Sequence, residues 1–154
     1  MNAIKMLKDD HDAVKKLLGE LERTTERGVK TREELFTRIK SDLTVHEIIE
    51  EEIFYPALKE HPRAKEIVLE AYEEHNVVDT LMGEISALPF DDEKWGAKAK
   101  VMKENIEHHI EEEEGEMFRK ARQVFDEAEL EDLGRRMEQR RKAASREMAG
   151  SAPR

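Results

Sequence analysis

The 154-residue sequence predicts an all-α protein, an antiparallel up-down-up-down four-helix bundle with a short C-terminal helix. Three observations predict it. Apolar residues recur at the three-and-four spacing of one helix face in four long segments. The connections between those segments are short and marked by Gly, Pro or Asp. The composition is helix-forming, with 42% charged residues, 5% aromatics, seven Gly and four Pro. This length suits one core. The bundle is expected over residues 1–143 and a disordered tail over residues 144–154.

The first helix is expected from about Asn2 to Arg27. Its stripe is Ile4, Leu7, position 11, Val14, Leu18 and Leu21, and position 11 is His11. Gly28 ends it. The second starts at Thr31, which with Glu34 has the pattern of a capping box. Its stripe reads Phe36, Ile39, Leu43, His46, Glu50, Ile53 and Ala57, and Pro56 is expected to kink or fray the last turn. His61 and Pro62 mark a turn, with Pro62 near the start of the third helix. The third stripe is Val68, Ala71, His75, Val78, Met82 and Ile85, closed by the loop Pro89-Phe90-Asp91-Asp92. The fourth helix, from about Glu93 to Val124, carries Trp95, Ala99, Met102, Ile106, His109, Glu113 and Met117. Asp126 with Glu129 resembles another cap, ahead of Leu130, Leu133 and Met137 in the short fifth helix.

Six of these stripe positions hold His or Glu where a core calls for Leu or Ile. His11 to His46 is 35 residues and His75 to His109 is 34, and each second histidine is followed by Glu at plus four. The chain is therefore an internal repeat of two helical hairpins. At 3.6 residues per turn, plus four is about 400°, so His46 and Glu50 share one face, as do His109 and Glu113. Antiparallel packing allows all six residues to meet in one layer. Two carboxylates buried without compensation are costly, and the stripes hold no Lys or Arg to pair with them. Four imidazoles and two carboxylates around one point form a nitrogen and oxygen site for a transition metal, and two carboxylates able to bridge suit a two-metal centre.

Other residues read more plainly. A lone buried histidine is more often a satisfied core residue than a ligand; the repeated order of six separates this set from that case. His108 lies one residue off its stripe, on the surface, and His61 sits in a solvated turn. Glu111, Glu112 and Glu114 read as a solvated face, and Met82, Met102 and Met117 as core filling. Tyr55 and Tyr72 are able to serve redox chemistry, and Tyr72, three residues before His75, reads as a packing residue. His46-Glu47 begins like a zincin motif, but position 50 is Glu and the second histidine is absent. The ferritin-like pattern of single Glu residues is also absent, since those places are His11 and His75.

No cysteine is present, which excludes disulfides, thiolate metal sites and a cysteine nucleophile and agrees with a cytoplasmic protein. A formal net charge of −10 disfavours nucleic acid and anionic membrane as partners. No apolar run is long enough to span a bilayer, and the first residues do not have the pattern of a secretory signal.

Over about Ile4 to Val124 the sequence resembles the hemerythrin-like family, the HHE cation-binding domain. The resemblance rests on His11-Asp12, on His46-Glu47-x-x-Glu50-Glu51 followed by Phe54-Tyr55-Pro56, on Glu74-His75, and on His108-His109-Ile110-Glu111-Glu112-Glu113-Glu114 followed by Phe118. It implies two non-haem iron ions bridged by two carboxylates and an oxo or hydroxo species. By position the metal ligands would be His11, His46, Glu50, His75, His109 and Glu113, with Glu47 as an additional glutamate near the iron pair. Oxygen-carrying members have a fifth histidine four residues after the one matching His75; here that residue is Asp79. With about six ligands per iron, about two of twelve positions remain for water, Glu47, Asp79 or a small ligand. The expected function is binding of dioxygen or another small ligand, with peroxide or nitric-oxide redox activity. The alternative is an iron- or oxygen-sensing or storage module without catalysis.

Overall fold

The computed structural model describes residues 1–151, which contain helices and no strand. α1 spans Ala3–Glu22. α2 spans Val29–Ile49 and continues through a π-helical turn, Glu50–Phe54, into α3, Tyr55–Lys59. α4 spans Lys65–Ser86. α5 spans Trp95–Glu112 and continues through a second π-helical turn, Glu113–Met117, into α6, Phe118–Val124. α7 spans Glu127–Ser151. The expected four-helix bundle is thus formed, with α2–α3 and α5–α6 as its second and fourth rods.

Local chemistry sets the ends. The Asn2 side chain caps α1 by accepting the Lys5 amide at 2.8 Å. α1 stops at Glu22, short of Arg27, where the Arg23 amide turns back to the Glu20 and Leu21 carbonyls. α2 is capped at Gly28, so Thr31 lies inside its first turn and the expected capping box does not form. The box at α7 does form: the Asp126 amide donates to Glu129 at 3.0 Å and the Glu129 amide to Asp126 at 2.8 Å.

The stripes bury as their spacing requires, with one displacement. Ile53 and Ala57 were the expected core positions after Glu50, yet Phe54 and Leu58 are fully buried instead. The π turn is the cause. The Tyr55 amide bonds to the Glu50 carbonyl five residues back, which adds one residue to the turn and slips the buried face by one. Pro56 follows in the first turn of α3, and the rod continues rather than fraying.

Two apolar clusters result. One gathers Ile4, Leu7, Phe54, Tyr55, Leu58, Val68, Phe118 and Met137. The other gathers Leu18, Phe36, Ile39, Met82, Trp95, Met102 and Ile106. His11, His46, Glu50, His75, His109 and Glu113 are all buried in the layer between them.

α7 corrects the expected short helix and disordered tail. It is 25 residues long, and Ala144, where the tail was expected to begin, is fully buried. Its polar sequence hides a narrow apolar edge that lies on α1 and α2. Arg140 pairs with Glu52 at 2.9 Å, and Arg141 pairs with Asp10 at 3.0 Å. Residues 152–154 of the expected tail lie outside the described residues.

Gly134 is where α7 meets the amino terminus. A Cβ there would overlap the Met1 carbonyl oxygen and lie 3.1 Å from the Ala3 nitrogen. Gly134→Ala is expected to lower stability by about 1–3 kcal/mol through overpacking. A denaturant midpoint equal to that of the parent would refute this close approach.

Candidate metal centre

Each inward residue is delivered by a different stretch of the bundle. His11 comes from α1, His46 from α2 and Glu50 from the π turn that follows it. His75 comes from α4, His109 from α5 and Glu113 from the second π turn. Both carboxylates open their π turns, and the Phe118 amide bonds to the Glu113 carbonyl as the Tyr55 amide does to Glu50. The widened turns therefore coincide with the two residues that must reach the shared centre.

The four Nε2 atoms face the two carboxylates. His46 stands 3.1 Å and His75 3.2 Å from Glu50 Oε1. His11 stands 3.1 Å from Glu113 Oε1, and His109 3.2 Å from Glu113 Oε2. Two donor groups emerge, His11, His46, Glu50 and Glu113 on one side and Glu50, His75 and His109 on the other. Within these groups His11 Nε2, His46 Nε2, both Glu50 oxygens and Glu113 Oε1 have no hydrogen-bond partner. The close spacing without hydrogen-bond geometry means that the lone pairs converge on points between the groups. A buried set of nitrogen and oxygen donors aimed in this way fits metal cations.

The outer nitrogens are held by a second set of carboxylates. His46 Nδ1 donates to Asp10 at 2.8 Å and His109 Nδ1 to Glu74 at 2.6 Å. His75 Nδ1 donates to Glu51 and His11 Nδ1 to Glu114, both at 2.7 Å. The pattern repeats with the hairpins. The residue before each first histidine holds the second histidine of its own hairpin, and the residue after each inward glutamate holds the first histidine of the other. Such bonds fix the ring tautomer and turn the Nε2 lone pair inward. Glu114 was expected on a solvated face. It is instead drawn to His11, while Glu112 on the outer face pairs with exposed His108 at 3.1 Å. His61, expected to be solvated, packs edge-on against Phe125 with ring centroids 5.3 Å apart.

Tyr55 belongs to the centre rather than to packing alone. Its hydroxyl donates to Glu113 Oε2 at 2.5 Å and lies 3.3 Å and 3.4 Å from the Nε2 atoms of His75 and His109. Burial, and then the charge of Glu113, push its phenol well above the usual range, so it stays protonated. Glu47 does not face the convergence points. Its carboxylate is 3.8 Å from the outer nitrogen of His75. Burial and the neighbouring Asp79 push it up to about 9. Asp79 itself is exposed.

Beside the centre lies a cavity of about 220 Å³. His11, His46, His75 and His109 reach it, Val14 and Ile106 are among its apolar walls, and Glu47 and Arg141 also line it.

Without a cation the carboxylates draw protons onto the imidazoles. Burial alone lowers His46 and His75, but Glu50 and Asp10 raise the first to about 10, and Glu50 and Glu51 raise the second to about 9. Burial likewise lowers His109, and Glu113 and Glu74 lift it well above its usual range. The metal-free folded state therefore holds more protons than the unfolded chain between the ordinary value of 6.5 and about 9 to 10. The stability this contributes is fully present below 6.5 and is lost as pH rises through about 9 to 10. Metal binding must expel these protons. Adding a divalent metal ion to weakly buffered metal-free protein at neutral pH is expected to release protons, and a pH-stat trace without acidification would contradict this charge state.

The family model of the hemerythrin HHE cation-binding domain matches residues 2–121. Among solved structures, the chain is similar to the crystal structure of a hemerythrin HHE cation-binding domain-containing protein from Mycobacterium kansasii, with a TM-score of 0.83 and 26% sequence identity. The match covers 99% of this chain and 95% of that one. Comparison with curated protein sequences gives no match.

Proposed function

From the premise that the chain belongs to the hemerythrin HHE cation-binding domain family, we propose that it holds two non-haem iron ions and uses them on small oxygen or nitrogen ligands. His11 and His46 would hold one ion and His75 and His109 the other, with Glu50 and Glu113 shared between them and an oxo or hydroxo group completing the bridge. The carrying observation is the set of orphaned donor atoms on His11, His46, Glu50 and Glu113, buried beside a cavity of small-molecule size. Bound there, an iron pair supplies Lewis acidity and the electrons for cleaving an oxygen–oxygen bond.

The reading favours peroxide over simple carriage of dioxygen, because protons are at hand. Glu47, protonated at neutral pH, borders the cavity and is the candidate acid. Tyr55 stays protonated, donates to Glu113 Oε2 and fixes that carboxylate. Val14, Leu43, Val78, Ile106 and Ile110 give the cavity an apolar wall, which suits a small neutral ligand. No helix is long and apolar enough to cross a membrane among the described residues.

Protein produced with iron is expected to hold about two irons per chain, to absorb in the near ultraviolet and to change that spectrum with azide or peroxide. It is also expected to decompose hydrogen peroxide, measured as oxygen evolution, and to lose this activity in His75→Ala. Folded protein that takes up no iron would sink the di-iron reading. Bound iron without peroxide turnover would sink the catalytic part and leave ligand binding, sensing or storage.

A further inference from the structure

We propose that the end of the bundle remote from the metal layer carries a second, independent site that binds a small oxyanion, built from Arg32, Trp95 and the first turn of α5. Arg32 is only 6% exposed. Its Nε donates to Thr24 Oγ1 at 3.0 Å and its Nη1 to the Phe90 carbonyl at 2.6 Å, and the guanidinium lies 4.8 Å from the Trp95 ring centroid. All three neighbours are neutral. No carboxylate among the described residues pairs with this guanidinium, although the chain carries 37 acidic residues. A buried cation left without an anion is costly.

The unused nitrogen has a direction. Nη2 lies 3.5 Å from the place a Cβ on Gly96 would take, so it opens onto the start of α5. That helix end is only partly satisfied: the Asp92 carboxylate accepts the Lys94 amide at 2.8 Å and the Asp92 carbonyl the Trp95 amide at 3.0 Å. Lys94 gives it no side-chain cap and its first turn holds no acidic residue. The Gly96 and Ala97 amides have no backbone acceptor among the described residues. Trp95, 1% exposed, adds an indole Nε1–H with no partner. Arg32, Trp95, Gly96 and Lys100 line one cavity of about 130 Å³. Glu22 also borders it, with Lys103 3.7 Å from its carboxylate. An open guanidinium edge beside a helix amino terminus recognises an oxyanion, and the volume restricts it to the size of phosphate or a short carboxylate. Trp95 and His109 are 14 residues apart on α5, about 21 Å along the axis, so the two sites are separable by experiment.

Trp95 is the sole tryptophan, so its emission and its indole N–H resonance report this cavity without interference. The full chain, metal-free and iron-loaded, is titrated with inorganic phosphate at constant ionic strength, with acetate and chloride as parallel arms. A saturable shift of both signals with phosphate or acetate, alike in the two metal states, is expected. Arg32→Gln is expected to weaken it by about tenfold or more, with Arg32→Lys intermediate. Gly96→Asp keeps the proposal testable should the Arg32 variants fail to fold. It places a carboxylate beside Nη2 and at the helix amino terminus, and is expected to raise Tm above that of Gly96→Asn and to abolish the phosphate response. A response to phosphate and acetate no larger than to chloride would overturn the proposal, as would Gly96→Asp melting no higher than Gly96→Asn.

Discussion

Under the proposed di-iron reading, Glu113→Ala is expected to abolish most iron uptake, whereas Glu112→Ala leaves iron content unchanged. The two residues are neighbours with opposite surroundings. Glu113 is buried, with one oxygen 3.1 Å from His11 and the other 3.2 Å from His109 and 2.5 Å from the Tyr55 hydroxyl. Glu112 lies on the outer face, against His108 and Glu74. Losing Glu113 removes the carboxylate that faces one imidazole of each group, His11 and His109. It also removes the charge that most strongly raises His109. Taking one member from a buried ionic set typically costs about 3–5 kcal/mol, so the metal-free variant should also unfold more easily. Iron per chain and the denaturant midpoint are the measurements. Equal iron loss in the two variants would mean that the side-chain register of α5 is wrong by one residue.

That register was legible in the sequence because the bundle repeats itself. A stripe interrupted by His at 11, 46, 75 and 109, and by Glu at 50 and 113, allows all six to share a layer when the helices pack antiparallel. The structure places them there. What the spacing did not carry was anything set by contacts between helices or by departures from 3.6 residues per turn. The π turns are invisible to periodicity, so Phe54 and Leu58 took the core places expected for Ile53 and Ala57. Tyr55 was swung into the centre by the same extra residue. Arg32 sits in the first turn of α2, a position that reads as surface, and is buried because Phe90 and Trp95 arrive from another hairpin. α7 exposes so many charges that its buried edge, Leu130, Leu133, Met137 and Ala144, fades at its last member.

The outer carboxylates carry the second large effect. Asp10, Glu51, Glu74 and Glu114 look like ordinary members of charged helix faces, and only the antiparallel packing shows that each meets a histidine Nδ1. Removing such a partner typically weakens a metal site by about 10- to 100-fold, because the ring loses its orientation and part of its basicity. Glu114→Gln is expected to lower metal affinity in that range, while Glu111→Gln, on the exposed face of the same rod, does nothing. The loss at Glu114 should appear in the half of the centre built on His11. Glu51→Gln and Glu74→Gln should instead impair the half built on His75 and His109. Competition with a chelator gives the affinities, and the imidazole proton resonances of the metal-loaded protein identify the half affected. Uniform loosening of all four imidazoles by any one substitution would show that the layer responds as a single unit, and the pairing of outer carboxylates with individual histidines would then have no separate energetic meaning.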